Sequence, residues 1–534
     1  DVLPQVYNDV GEDVSNKDLL AARFNATLLL GDDSSLKFAV DAVRDDSNAR
    51  GAQRLNDAWG PRLPDRYDVR NDMPVTQESV ETTGASLTFD TSLSASWDMK
   101  LIGAYRESET DTLIDFETLN SALFNVPAAY DDDQTSLEAQ FNFSSDDWAA
   151  VMGAYYYDGD ACGGFDVVLG AFGLTSLTAG CVGTKSYSIY GDATWSISDN
   201  WNLSFGGRWN QDDKTATVFV GQYLGALEGG EKALDPNNMP ADFILLSVQS
   251  DYTNSRTYDD FTPRVSIDYL FNDNVMGYFS YTNGFKSGGF DMRGNQAVFP
   301  GTTDGFESET VDNWELGLKT TALDGSLIFN VTGFFADYSD VQITTQQFVE
   351  INGAPTNVTA VLNAAAQENK GIEIETAWQP SDFVRLTANL GFLDAEITEF
   401  LTADPENPGQ EIDISDTVEP LFSPEKTALL SSEFFWNMFN GDGYARLSYV
   451  YTDDIKVANL TPSTGDQEAY ALLDATGADP TQDGRWRFAL NGKNLPDEEY
   501  LQAGYDLGPA INFISQLGFY GAPRTWSISA TYTY

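Results

Sequence analysis

The chain has 534 residues, enough for about three or four ordinary soluble domains or for one very large closed sheet. Its 29 lysines and arginines stand against 82 aspartates and glutamates, a net charge of −53, and this excludes nucleic acid as a partner because a polyanion needs a basic surface to release its counterions. With 42% hydrophobic and 13% aromatic residues the chain can bury a core, so the acidity belongs to the exposed parts of a folded protein.

Histidine is absent, which removes the commonest general base, the usual transition-metal ligand and the proximal haem ligand. No enzyme is expected. No basic segment followed by an apolar run opens the sequence, so no signal peptide is expected in it. Nor is there a run of about 18 uninterrupted apolar residues, so helical membrane spans are not expected. A barrel wall escapes that test, because only alternate residues of a strand face lipid.

In chain order, alternating segments fall at approximately 18–30, 35–44, 80–90, 93–106, 134–143, 147–157, 184–197, 200–211, 256–270, 275–285, 309–320, 326–341, 369–378, 383–396, 424–436, 443–453, 469–478, 484–500 and 522–534. That is about 19 strands. The clearest pair is SYSIYGDATWSISDNWNLSFGGRWNQ, residues 186–211. Tyr187, Ile189, Ala193, Trp195 and Ile197 form a greasy face that resumes, after the turn at Ser198, Asp199 and Asn200, with Trp201, Leu203, Phe205 and Trp209. Ser188, Asp192, Thr194, Asn202, Ser204 and Arg208 form the wet face. Such a hairpin has one apolar and one polar side.

Short polar turns recur at 271–274, 323–326 and 379–382. Between the hairpins lie long connections rich in Asp, Gly, Pro and Asn, at roughly 45–79, 107–133, 158–183, 212–255, 286–308, 342–368, 397–423 and 454–468. Short turns alternating with long loops are the pattern of outer-membrane barrels, and structureless loops of such length are uncommon in compact soluble domains. The wet face carries charges: Glu373, Glu375 and Arg385 in the hairpin around 379–382, with Arg208 and Arg264 earlier. A water-filled lumen accepts them where a soluble core would not. The fold class expected is therefore all-β, a transmembrane antiparallel barrel. A soluble β-rich binding protein is disfavoured by the rows of outward Trp and Phe.

Several segments then become specific. YFSYTNGFKSGGFD (278–291), NWELGLKT (313–320), FNVTGFFADYSDVQI (329–343), NKGIEIETAW (369–378), LNGKNLPDEEY (490–500) and APRTWSISATYTY (522–534) resemble, in order, the strand signatures of TonB-dependent receptors of Gram-negative outer membranes. The resemblance implies a 22-stranded barrel in the bacterial outer membrane, of which residues 1–534 supply strands 4 to 22, with the N-terminal plug and first strands not in this chain. It also implies energy-coupled import of a scarce nutrient such as a siderophore, a cobalamin-like cofactor or an oligosaccharide. The implied partners are outer-membrane lipid, the receptor's own plug, a TonB-type energy-coupling protein acting through the missing N-terminal part, barrel-assembly machinery and a small-molecule cargo. A passive porin or a structural or adhesive barrel is the alternative, and upstream plug sequence discriminates the two.

Candidate residues follow. Phe285, Lys286 and Phe290, in the glycine-rich rim GFKSGGF, are possible ligand contacts; the motif lacks the GK[ST] ending of a phosphate loop. Arg208, Arg264, Glu373, Glu375 and Arg385 are lumen-facing partners for the plug or for one another. Cys162 and Cys181, close together in a chain otherwise free of cysteine, suit a disulfide in a loop outside the membrane or else two buried thiols. Trp526, Ile528, Tyr532 and Tyr534, alternating to an aromatic end, resemble the signal that assembly machinery reads and also form lipid-facing wall. No resident cofactor or metal is expected, apart from Ca²⁺ as a possibility at acidic clusters such as YDDDQ (130–134) and NQDD (210–213).

Overall fold

The structure is a computed structural model and describes residues 6–7, 13–57, 62–74, 78–119, 123–351, 354–404, 407, 410–438, 441–458, 466–481, 485–506 and 516–533. Nineteen strands form the wall. They are β1 (Leu19–Leu29), β2 (Ser34–Asp45), β3 (Ser79–Ser94), β4 (Trp97–Asp115), β5 (Asn125–Ser144), β6 (Trp148–Leu169), β7 (Leu174–Ser198), β8 (Trp201–Leu224), β9 (Ile244–Asn272) and β10 (Val275–Lys286). The series continues with β11 (Glu309–Ala322), β12 (Leu327–Ile351), β13 (Ala354–Ser381), β14 (Val384–Ala403), β15 (Lys426–Met438), β16 (Gly441–Thr452), β17 (Tyr470–Pro480), β18 (Trp486–Lys493) and β19 (Thr525–Tyr532). A twentieth strand of the same sheet, Glu411–Asp413, is a short ribbon on the tip of β14. Among the described residues the only helices are short 3-10 turns, and none is long enough to cross a membrane.

Every strand pairs antiparallel with its sequence neighbour, and the sheet comes round as a barrel. Between β19 and β1, however, no residue pair is registered among the described residues, and all eleven residues of β1 are exposed. Ile528 in β19 is 80% exposed.

The side-chain period of two sorts the wall. Ile189, Trp195, Phe205, Phe261, Val265, Phe279 and Leu316 stand exposed on the outside, while Ser188, Ser204 and Ser266 are buried on the inside. Two aromatic rows border the apolar band. At the short-turn end Trp97 meets Phe143 (4.9 Å), Trp148 stacks on Trp195 (5.5 Å) and Trp201 meets Tyr269 (4.5 Å). Eight residues further along the same strands stand Tyr105, Tyr156 and Trp209, the second packed on Tyr187 at 5.2 Å. Eight residues span about 26 Å before tilt, the order of the roughly 25 Å apolar band of an outer-membrane barrel with its two girdles.

On the lumenal side, small residues seat large ones. Gly84 lies opposite Arg106, Gly153 opposite Tyr190, and Gly317 opposite Tyr278. A Cβ on Gly317 would come within 2.2 Å of the Tyr278 ring, and one on Gly84 within 2.7 Å of the Arg106 guanidinium. These glycines let planar side chains lie flat on the wall and keep the lumen open.

Past the outer girdle the ladders go on, which corrects the expected loops. The connections 107–133, 158–183, 212–255 and 342–368 are in large part paired strand, and 397–423 opens with the end of β14: β6 and β7 pair from Trp148 and Trp195 to Leu169 and Leu174, and β12 and β13 from Leu327 and Trp378 to Ile351 and Ala354. Hydrophobic alternation ends where lipid ends and so marks only the membrane part of each strand, although stretches such as TATVFV in β8 keep high strand propensity. The 25 residues of β7 reach about 80 Å, far beyond any bilayer. Cys162 and Cys181 sit opposite each other on this extension, bonded, with Cα atoms 4.0 Å apart. They belong to a paired ribbon and not to an irregular loop. The expected strand 484–500 also ends early, at Lys493.

The connections that remain fold back on the ribbons. Leu227 and Ala233 pack on Val168, with Met239 and Phe243 against the cluster of Leu177, Ala179 and Tyr223. Asp166 fastens this cover: buried, its Oδ2 accepts the amides of Ala233 (2.6 Å) and Leu234 (3.2 Å), while Oδ1 has no partner. Burial pushes its pKa up to about 6.

Two outcomes follow from this packing. Gly317→Ala should lower the stability of the folded barrel by about 1–3 kcal/mol, the usual cost of overpacking. In a Tyr278→Ala background it should cost almost nothing; equal losses in both backgrounds, measured by thermal or denaturant unfolding in detergent, would contradict the seating role. Because the folded pKa of Asp166 lies above the unfolded carboxylate value of about 3.9, the contribution of this carboxyl is full below about pH 4 and is lost as the pH climbs through about 6. Exchange-derived opening energies at Ala233 and Leu234 should therefore fall over that window, and Asp166→Asn should flatten the dependence; the same slope in both proteins would contradict it.

Candidate functional site

The lumen is lined by polar side chains drawn from alternate positions of many strands, and most engage one another. Arg106 on β4 donates from Nη2 to both oxygens of Asp41 on β2, at 3.0 and 2.8 Å. Arg208 on β8 lies over the rings of Tyr155 (5.5 Å) and Tyr190 (5.6 Å) and donates from Nε to Asn210, while the Tyr190 hydroxyl donates to Glu138. Arg264 reaches Asp192 at 3.4 Å. Further round, the Tyr278 hydroxyl meets Thr332 (3.1 Å) and Glu315 (3.4 Å), Lys319 lies over its ring, and Asn330 donates to Glu375 at 3.3 Å. Glu373 is registered opposite Thr332, and Arg385 opposite Glu433. The five residues expected on the lumenal face thus share the inward parity of their strands, and they are spread around the wall and not gathered at one point. Mixed donors and acceptors of both charges suit a wetted surface against which a polar plug or solute slides or docks.

The outer end of the lumen is narrowed by the segment 287–308. Lys214 on β8 donates from Nζ to the Gly288 carbonyl at 2.6 Å and lies near the buried Tyr258 ring, over which Arg256 stacks at 5.1 Å while pairing with Glu307. Burial pushes the Lys214 amine below its usual range. Phe290 is 8% exposed and packs on Ala216, Val218 and Val220, which share the inward parity of Arg208 on β8.

This placement corrects the expected ligand contacts. Phe290 is the hydrophobic anchor of the infolded segment and has no surface to offer. Phe285 has the same strand parity as Phe279 and Tyr281, and β10 pairs with β11 without a register shift, so Phe285 belongs to the outer face. Lys286, on the opposite parity, is 62% exposed and lies 3.5 Å from Glu309. Of the three, Lys286 alone faces the mouth. A concavity of about 680 Å³ bordered by Phe279, Leu316, Phe335 and Ile372 is a groove in the lipid-side surface and is not part of the lumen.

The acidic clusters also resolve. Asp131, Asp132 and Asp133 lie in β5, and Asp212 and Asp213 in β8, so within each run successive carboxylates point to opposite faces of the ladder. At the end of the wall, Trp526, Ile528 and Tyr532 form the outward row of β19, with Tyr532 packed on Trp486 at 4.8 Å. Tyr534 lies outside the described residues. Sequence reasoning missed the glycine seats and the infolded segment; the lumenal Gly opposite each Tyr or Arg was the available signal, visible only once register is known.

Comparison with known proteins agrees with this architecture. The profile of the family described as TonB dependent receptor-like, beta-barrel matches residues 21–495. The ferric yersiniabactin uptake receptor FyuA of Yersinia pestis superposes with a TM-score of 0.76 at 16% identity, covering 99% of this chain and 73% of that one. The siderophore receptor PiuA of Acinetobacter baumannii gives 0.73 at 15% identity, covering 98% and 76%. The ferric-catecholate import receptor Fiu of E. coli K12, in its closed form, gives 0.69 at 13% identity, covering 99% and 76%. At these identities the superpositions establish the fold, while the family match extends over most of the sequence. The chain belongs to the TonB-dependent receptor-like β-barrel family.

Proposed function

We propose that this chain is the translocation barrel of an energy-coupled outer-membrane receptor that imports a scarce nutrient, and that a metal-chelating siderophore is the cargo class to test first. The family is one of outer-membrane transport receptors and not of enzymes. The observation that carries the reading is the combination of that family match with a lumen of paired Arg, Tyr and carboxylate side chains, which is a surface made for a polar occupant. Of the similar receptors named above, one is a ferric yersiniabactin uptake receptor, one a siderophore receptor and one a ferric-catecholate import receptor.

Finer parts of the proposal rest on particular residues. The exposure of β1 on both faces and the unregistered seam with β19 support strands 4 to 22 of a 22-stranded wall, completed by strands that pair with β1 and β19. The receptor's own plug would lie against Arg106, Arg208, Arg264 and their partners, and would carry the contact to a TonB-type protein. Lys286 is the candidate cargo contact at the mouth. The outward row Trp526, Ile528 and Tyr532 supports recognition by barrel-assembly machinery as well as anchoring in lipid.

The test is uptake. The complete receptor, expressed in a Gram-negative host lacking its own siderophore receptors, should accumulate one labelled ferric siderophore from a panel, and deleting the host's energy-coupling protein should abolish accumulation. Uptake that persists without energy coupling, or that follows solute size alone, would sink the proposal and favour a diffusion porin.

A further inference from the structure

At the tip of the β4–β5 hairpin, far above the outer girdle, three carboxyl groups meet. Asp72 comes from the long connection between β2 and β3, Asp115 ends β4, and Glu117 follows it. One oxygen of each lies within 4.8 Å of the others, which is the diameter of a Ca²⁺ coordination sphere of radius about 2.4 Å. Glu117 is 0% exposed, its Oε1 and Oε2 accepting the amides of Leu123 and Phe124 at 2.8 Å each. Asp115 Oδ1 accepts the amides of Glu117 (2.9 Å) and Thr118 (2.6 Å), but Asp115 Oδ2 is shut off from solvent and has no partner.

Asn125, directly across the ladder from Asp115, is 6% exposed. Its Nδ2 donates to both oxygens of Asp72, at 3.0 and 3.1 Å, and its Oδ1 also lacks a partner. Neither Asp72 nor Asp115 forms an ion pair with a described lysine or arginine.

Glu117 and Asp115 are held by backbone amides and the half-buried Asp72 by the Asn125 amide, and the buried, partnerless oxygens Asp115 Oδ2 and Asn125 Oδ1 must be satisfied by an added proton or an added cation. Burial first, and then the neighbouring carboxylates, push Asp115 and Glu117 up, and burial pushes Asp72 up. All the available donors are hard oxygens, and no nitrogen or sulfur ligand is present in the group.

We propose that Asp72, Asp115, Glu117 and Asn125 form a Ca²⁺ site that clamps the connection between β2 and β3 onto the β4–β5 tip. A half-turn of the Asn125 amide, whose oxygen and nitrogen are interchangeable in shape, presents Oδ1 as a fourth protein ligand. The site lies beside the packed Phe116, Phe124 and Val126, and Phe116 also meets Tyr505 at 5.8 Å, so the ion fastens a junction of three outer segments.

The test is Ca²⁺ binding by equilibrium dialysis to the full chain folded in detergent, with about 10 mM Mg²⁺ present to occupy diffuse acidic sites. One Ca²⁺ per chain should bind at a free concentration of about 1 mM or below, the range of extracellular Ca²⁺ modules. Glu117→Gln should weaken it at least about tenfold, whereas Asp131→Asn with Asp133→Asn should leave it unchanged. Absence of saturable binding in the parent chain, the same affinity in Glu117→Gln, or loss in the Asp131 and Asp133 variant would each overturn the assignment. Should Glu117→Gln not fold, hydrogen exchange on the parent chain decides: Ca²⁺ should slow exchange at Leu123, Phe124 and residues 71–74, and unchanged exchange there would overturn it.

Discussion

Lipid offers no hydrogen bonds, so every backbone N–H and C=O inside the bilayer must find a partner within the protein. For strands this means that each ladder must be continued by another, and the chain meets the demand with uninterrupted antiparallel registers from β1 to β19. The same demand sets the side-chain code, since a strand in a wall has one face in hydrocarbon and one in water. Trp, Phe, Ile and Leu outside, and Arg, Glu, Asn and Ser inside, follow from the pleat and require no further instruction. At the seam between β19 and β1 no residue pair is registered among the described residues, so this is the part of the wall whose backbone pairing is least defined.

Beyond the outer girdle the constraint is relaxed and the charge appears. Glu81, Glu109 and Asp131 stand side by side across three strands, as do Glu107, Asp133 and Asp160. Like charges placed opposite one another oppose pairing, and these are exposed, where water and salt screen them. The ladders persist because backbone pairing, the Cys162–Cys181 bond and apolar covers such as Leu227 and Phe290 hold the ribbons together. An acidic rim of this kind disfavours strongly anionic solutes and concentrates cations near the mouth.

Much of the wall was legible in the sequence, because alternation is strongest where lipid enforces it: the hairpin of Tyr187 to Trp209 has the faces its sequence implies. The parity of Arg208, Arg264, Glu373, Glu375 and Arg385 within their strands follows from the same alternation. Phe285 was misplaced although its parity with Phe279 and Tyr281 was readable: it was grouped with the glycine-rich rim, whereas β10 keeps its register to Lys286. The extended ribbons were not legible, since strands wetted or covered on both faces lose the contrast that marks them. Asp72, Asp115 and Glu117 had no sequence signature at all: one member comes from a distant connection, and only the folded tip brings it to the others.

One face of each wall strand sees hydrocarbon and the other a wet lumen. Since the two native cysteines are bonded to each other, single cysteines introduced along β8 can carry nitroxide labels in the reconstituted barrel. Labels at Leu203→Cys and Phe205→Cys should be relaxed by oxygen, which concentrates in the bilayer, and those at Asn202→Cys and Ser204→Cys by a water-soluble nickel chelate, with a period of two. Uniform accessibility along β8, or a period near 3.6, would contradict the account.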